Sequence, residues 1–111
     1  MNKYMLILFE SDDVYTDMSP EDYQKEFELH AAWIQELGAK YESGEPLNQP
    51  AKTVRGREKL ITDGPFIESK ELVSGFYIIH ASSLEEAAEI SKGCPILRHN
   101  GYVEVREIMK M

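Results

Sequence analysis

The sequence is poor in cysteine, in basic charge and in long apolar runs, and each shortage excludes something. One cysteine, Cys94, permits neither an internal disulfide nor a cysteine metal cluster, which suits a reducing compartment. Twelve Lys and Arg stand against twenty Asp and Glu, a formal net charge of -8, and the basic residues form no cluster. Such a surface repels a phosphate backbone, so no nucleic acid is expected as a partner. The longest apolar run, "YMLILF" at residues 4–9, is far short of the roughly 20 residues that span a bilayer, and no cleavage-like segment accompanies it. We therefore expect no membrane association and a cytoplasmic protein. No pair of histidines has a His-x-x-x-His spacing, and Gly75 lacks the companion glycine of a phosphate loop, so neither metal nor organic cofactor is expected. No Ser/Gly/Pro-rich linker divides the chain, which reads as one domain, residues 1–111.

What is present is an ordinary globular balance, 42% hydrophobic and 29% charged, enough for a modest core. The order of elements follows from local signals. Lys3 to Phe9 is a β-rich run ended by polar residues. Ser19, Pro20, Glu21 and Asp22 combine a hydroxyl cap, a first-turn proline and carboxylates at the positive end of a helix dipole. In that helix Tyr23, Phe27, Ala31, Ile34 and Leu37 recur at three- and four-residue spacing, predicting the buried face, and Gly38 supplies the stop. Trp33 falls at the helix edge, as packing. Residues 39–50 have no clear path beyond a short strand near Lys40 to Glu42.

Lys52 to Val54 and Lys59 to Thr62 read as a hairpin turning over Arg55 to Glu58, with Gly56 as the turn residue. Leu72 to Ala81 is a strand, with Phe76 and Ile78 on one face and Tyr77 and Ile79 on the other. Ser82 with Glu85, or Ser83 with Glu86, would box the start of a second helix closing near Gly93. An Asn100-Gly101 turn leads into a last strand, Tyr102 to Ile108. The order β α β β α β with an inserted hairpin predicts an α+β protein of the ferredoxin-like, split βαβ kind. Two helices cover one face of such a sheet, and the first and third principal strands are apolar on both faces. A second copy stacked on the open face, a homodimer, is the expected partner.

"DGPFIESKE" at residues 63–71, followed by "GFY", "SLEEA" and "GYVEVREI", and preceded by "WIQELG" and "TVRGREKLIT", resembles the YCII-related family in its DGPF-domain branch. The resemblance runs from Trp33 to Ile108. It implies a dimeric α+β barrel, the architecture of muconolactone isomerases and small cofactor-free monooxygenases. It also implies, for the family at large, an active site made by a histidine on the first helix and an aspartate before a Pro-aromatic pair. At the aligned positions this chain has Phe27 and Cys94, with Ile96 after Pro95, so that pair is not carried over. Members of the DGPF branch also occur beside or fused to alternative sigma factors, which implies a regulatory association.

The charged segment 63–71 supports two readings. In one, Asp63 holds a stiff Gly64-Pro65 bend, Phe66 plugs the core, and Glu68, Lys70 and Glu71 form a solvated rim. In the other, the bend presents Asp63 and Glu68 to a pocket where apolar walls raise a carboxyl pKa for acid-base work, and Lys70 or Arg55 holds an anionic group. His80 shares a face with Phe76 and Ile78; it joins Asp63 as a candidate catalytic residue, with Arg55, Phe66, Glu68 and Lys70 as candidate ligand contacts. His30 reads as a boundary residue beside the helix stripe and His99 as exposed. Function divides accordingly: a cofactor-free small-molecule enzyme of isomerase type, or a non-catalytic ligand-binding or regulatory accessory.

Overall fold

Strand β1 (Asn2–Ser11) and strand β5 (Glu71–Ala81) run antiparallel through the centre of a four-stranded sheet. The computed structural model describes residues 1–11, 18–64 and 71–111. Strands β2 (Tyr41–Pro46) and β6 (Tyr102–Glu107) form the edges, giving the order β2-β5-β1-β6 with every neighbour antiparallel. Strands β3 (Lys52–Arg55) and β4 (Leu60–Asp63) make a separate two-stranded ribbon.

This arrangement corrects the expected fold class. In place of a sheet closing into a dimeric α+β barrel, the described residues form two distinct sheets, and neither is closed or strongly curled. The reason is geometric: the six-residue edges β2 and β6 lie on opposite sides of the β5-β1 pair and are not joined to each other, so the sheet stays open.

Helix α1 (Pro20–Leu37) starts as its local signals dictate. The Ser19 hydroxyl accepts from the Asp22 amide at 3.1 Å, and the Asp22 carboxylate accepts from the Ser19 amide at 3.2 Å. Together they satisfy two of the donors that a helix start leaves open. Gly38 ends it at φ 55°, its amide donating to the Ile34 carbonyl. Helix α2 (Leu84–Ser91) begins at Ser83, whose hydroxyl accepts from the Glu86 amide at 3.0 Å. The Glu86 carboxylate in turn reaches back to the amide and hydroxyl of Ser82, and these hydrogen bonds hold its pKa below the usual range. Short 3-10 turns occupy Gly38–Lys40 and Pro95–His99.

The core lies between the helices and one sheet face. Tyr4, Leu6 and Leu8 of β1 and Tyr77, Ile79 and Ala81 of β5 are buried there with Trp33, Ala87, Cys94 and Ile96. Alternation then puts Met5, Ile7, Phe9, Phe76, Ile78 and His80 on the opposite face, where they are only half-buried.

The predicted helix stripe is only partly right. Ile34 and Leu37 pack against the core, but Tyr23 and Phe27 stand clear of it, Phe27 being 61% exposed, and Trp33 is the one fully buried residue of α1. The N-terminal half of the helix overhangs the sheet. What lies beneath the overhang is a cavity.

Candidate functional site

A cavity of about 510 Å³ opens between the N-terminal half of α1 and the strands β1, β2 and β5. Its volume matches a small organic molecule. Tyr23, Phe27 and Ile34 roof it, and Leu8, Phe76 and Ile96 supply further apolar wall. The polar groups converge at one end, where His30 Nδ1 and the Tyr77 hydroxyl lie 2.5 Å apart with their rings stacked at 5.9 Å.

Tyr77 is held there from several sides. Trp33 meets its ring edge-on at 5.1 Å and Tyr41 at 6.2 Å. Below it, Gly44 of β2 leaves the space the ring occupies: a Cβ at that position would come within 2.6 Å of Tyr77 Cδ1 and 2.8 Å of the Phe76 carbonyl. The register of β1 and β5 slips between Leu8 and Phe9, so Ser74 is an extra residue and bulges where β5 borders the cavity. The Ser74 hydroxyl donates to the Leu8 carbonyl at 3.4 Å, and Gly75 allows β2 to pass within a Cβ's reach at the Glu45 carbonyl.

Burial shapes the acid-base character of the pair. Desolvation lowers the His30 pKa below 6.5, with the Glu26 charge opposing it, so the imidazole is neutral at pH 7. Desolvation also pushes the Tyr77 phenol well above its ordinary 10, with smaller contributions from Cys94 and Tyr41, so the phenol keeps its proton. Two tautomers satisfy the contact: Tyr77 donates to a bare Nδ1, or Nδ1–H donates to the Tyr77 oxygen and turns the phenolic proton toward the cavity. Glu10, buried at the end of β1, and Glu26 add carboxylates to the lining. Cys94 lies in the core, its thiol pushed up to about 11 by burial, and is an inert packing residue.

Of the residues singled out from the sequence, Asp63, Arg55 and His80 lie elsewhere. Asp63 ends β4 with its side chain 91% exposed, paired to Lys52 directly across the ribbon at 2.7 Å. The bend beside it is tied by Gly64, whose amide donates to the Ala51 carbonyl at 2.7 Å and whose carbonyl accepts from the Thr53 hydroxyl. Arg55 is exposed at the other end of β3. His80 is on the outer sheet face, its Nε2 3.0 Å from Glu42, which also binds Lys3 at 3.1 Å. The structure therefore does not bring Asp63, Arg55 and His80 to the cavity described above. Phe66, Glu68 and Lys70 lie outside the described residues. The sequence signal for the cavity pair was a histidine flanking the apolar stripe of α1; Tyr77, an inward β5 position, reads as core until the sheet and helix are assembled.

A model of the YCII-related domain matches residues 3–111. The chain belongs to the YCII-related family. An uncharacterized protein of Rhizobium meliloti (strain 1021) is 46% identical to this YCII-related chain over 35 residues, a match that spans 32% of the chain and only 28% of that relative. Among solved structures, the fold is similar to that of 5-chloro-2-hydroxyhydroquinone dehydrochlorinase from Burkholderia phenoliruptrix AC1100, in complex with 2,5-dihydroxybenzoquinone. The TM-score is 0.55 at 16% identity, over 98% of this chain and 94% of that one. At that identity the likeness concerns the fold. Among the described residues no group of three His, Cys, Asp or Glu side chains is placed to hold a metal, and no helix is long and apolar enough to cross a membrane.

Proposed function

We propose that this protein is a small-molecule enzyme that binds a hydroxylated or carbonyl-bearing ring under α1 and isomerises it by proton transfer through His30 and Tyr77. The observation that carries the reading is the 2.5 Å contact between His30 and Tyr77 inside an apolar cavity. Desolvation opposes both charged forms, imidazolium and phenolate, so the favoured chemistry moves protons without creating either. In the Nδ1–H tautomer, Nε2 takes a proton from a ring carbon or hydroxyl of the ligand. Nδ1 passes its proton to the Tyr77 oxygen, and Tyr77 gives its own to a ligand carbonyl oxygen. The electron pair of the broken bond shifts through the ring to that oxygen. Atoms and charge balance, and the imidazole ends in its other tautomer. The substrate class draws support from the fold relative, which was solved in complex with 2,5-dihydroxybenzoquinone.

The test is turnover and solvent-deuterium incorporation into a panel of hydroxylated aromatics, quinones and lactones. General acid-base partners contribute about 10²- to 10⁴-fold, so His30→Gln and Tyr77→Phe are each expected to slow exchange by at least that lower figure. Exchange that survives both substitutions contradicts the mechanism. The "DGPFIESKE" motif favours the DGPF branch and its regulatory associations as a second reading. It predicts ligand binding without turnover.

We also propose self-association. The half-buried outer face with Met5, Ile7, Phe76 and Ile78, and a ribbon whose Val54, Leu60 and Ile61 are each more than 60% exposed, are apolar surfaces that a second copy of the same chain would cover.

A further inference from the structure

One helical turn before His30, Glu26 occupies the wall between the ligand cavity and an outer groove of about 630 Å³ whose lining includes Asp22, Lys25, Arg98 and His99. Its side chain is nearly buried, at 13% exposure. On the groove side the same oxygen, Oε1, meets Arg98 Nη1 at 2.9 Å and His99 Nε2 at 2.8 Å. Both partners come from the end of the Pro95–His99 turn, so a residue on α1 is fastened to the segment that leads into β6. On the cavity side Glu26 and His30 are four apart on one helix face, close enough to interact directly.

We infer that Glu26 is a positioning residue for the His30–Tyr77 pair, and that Arg98 and His99 set how much of its negative charge the pair feels. Burial alone would leave His30 a weak base. The Glu26 carboxylate works against that, raising proton affinity at the imidazole, and is the electrostatic influence on His30 that opposes desolvation. The other titratable groups at the cavity act differently. Tyr77 keeps its proton, while Glu10 and Glu45 line the wall from β1 and β2 and Tyr23 from the start of α1. No lysine or arginine lines the cavity among the described residues. Arg98 is therefore the guanidinium placed to temper Glu26, and it does so from outside.

The inference rests on the reading of the cavity as a reaction site, but its test needs no ligand. His30 in the free protein is titrated by the NMR shifts of its ring. Replacing Glu26 by Gln, which keeps shape and removes charge, is expected to move the His30 midpoint to lower pH, and Glu26→Asp to restore part of the difference. Arg98→Gln is expected to move it to higher pH, because the carboxylate is then less compensated. A purely structural role would not give opposite signs. An unmoved midpoint in Glu26→Gln, or a shift in the same direction in both variants, overturns the inference. Should Glu26→Gln not fold, Arg98→Gln decides alone, since its side chain is half exposed: no upward shift rejects the inference. Failure to find any substrate would count against the proposed function while leaving this result standing.

Discussion

At the scale of residues, Tyr77 matters through both its ring and its hydroxyl, and the two can be separated. Tyr77→Phe keeps the edge contacts with Trp33 and Tyr41 and removes the bond to His30. A loss of about 1 kcal/mol in urea denaturation is expected, the usual worth of one hydrogen bond. A loss several times larger would show that the phenol supports the fold more than the site. The pH response of His30 has a definite sign. Its folded pKa lies below 6.5, so over the interval between the two values the unfolded chain binds more protons than the folded one. Its contribution is therefore fully present above pH 6.5 and declines as pH falls toward the folded pKa, where the penalty levels off. His30→Gln should flatten that part of the stability curve. Turnover should rise to a plateau with a midpoint below 6.5 and remain level until the far alkaline range, because Tyr77 titrates well above 10.

At the scale of elements, what the sequence reveals follows how local each cause is. The start of α1 is legible in Ser19, Pro20 and Asp22, because a cap is made by residues three apart. The ribbon is legible in its two β-rich runs around Gly56, and the central position of β1 and β5 in their apolar character on both faces. The helix stripe misleads because periodicity marks which side is apolar and not what that side meets. Ile34 and Leu37 find the core, whereas Tyr23 and Phe27 find a cavity. The contact between His30 and Tyr77 spans 47 residues and exists only after α1 crosses β5, so no local pattern announces it. The "DGPFIESKE" segment is the converse case: its Asp63 ends β4 and pairs with the lysine across the ribbon, away from the cavity. Gly44 ties the sheet to the site. Gly44→Ala would force a methyl against Tyr77 and the Phe76 carbonyl, and overpacking of this kind costs about 1–3 kcal/mol. The substitution should also weaken ligand binding by displacing the Tyr77 ring. Stability lost with affinity unchanged would contradict that coupling.

At the scale of the whole molecule, the Cα radius of gyration is 15.4 Å, and the extents are 42 × 41 × 19 Å. A compact chain of this length has a radius of about 13 Å, so the fold is flat and drawn out. The ribbon contributes to this, having at most marginal contact with any other element among the described residues. A lone hairpin is marginal in water, and an open sheet face is a place where association gains stability. Light scattering at micromolar concentration should therefore give twice 12.7 kDa, and Ile61→Glu should lower that mass. A wild-type mass of one chain would remove the second copy from the account. The acidic charge balance and the apolar cavity are separate features of this molecule.

The most direct test of the central claim, that the reactive site is the cavity under α1, is calorimetric titration of the same ring-compound panel into the wild type, His30→Gln, Tyr77→Phe and Asp63→Asn. A ligand is expected whose affinity falls at least tenfold in the first two variants and is unchanged in Asp63→Asn. Binding that survives the loss of His30 and Tyr77 but disappears with Asp63 would contradict it and move the site to the charged bend.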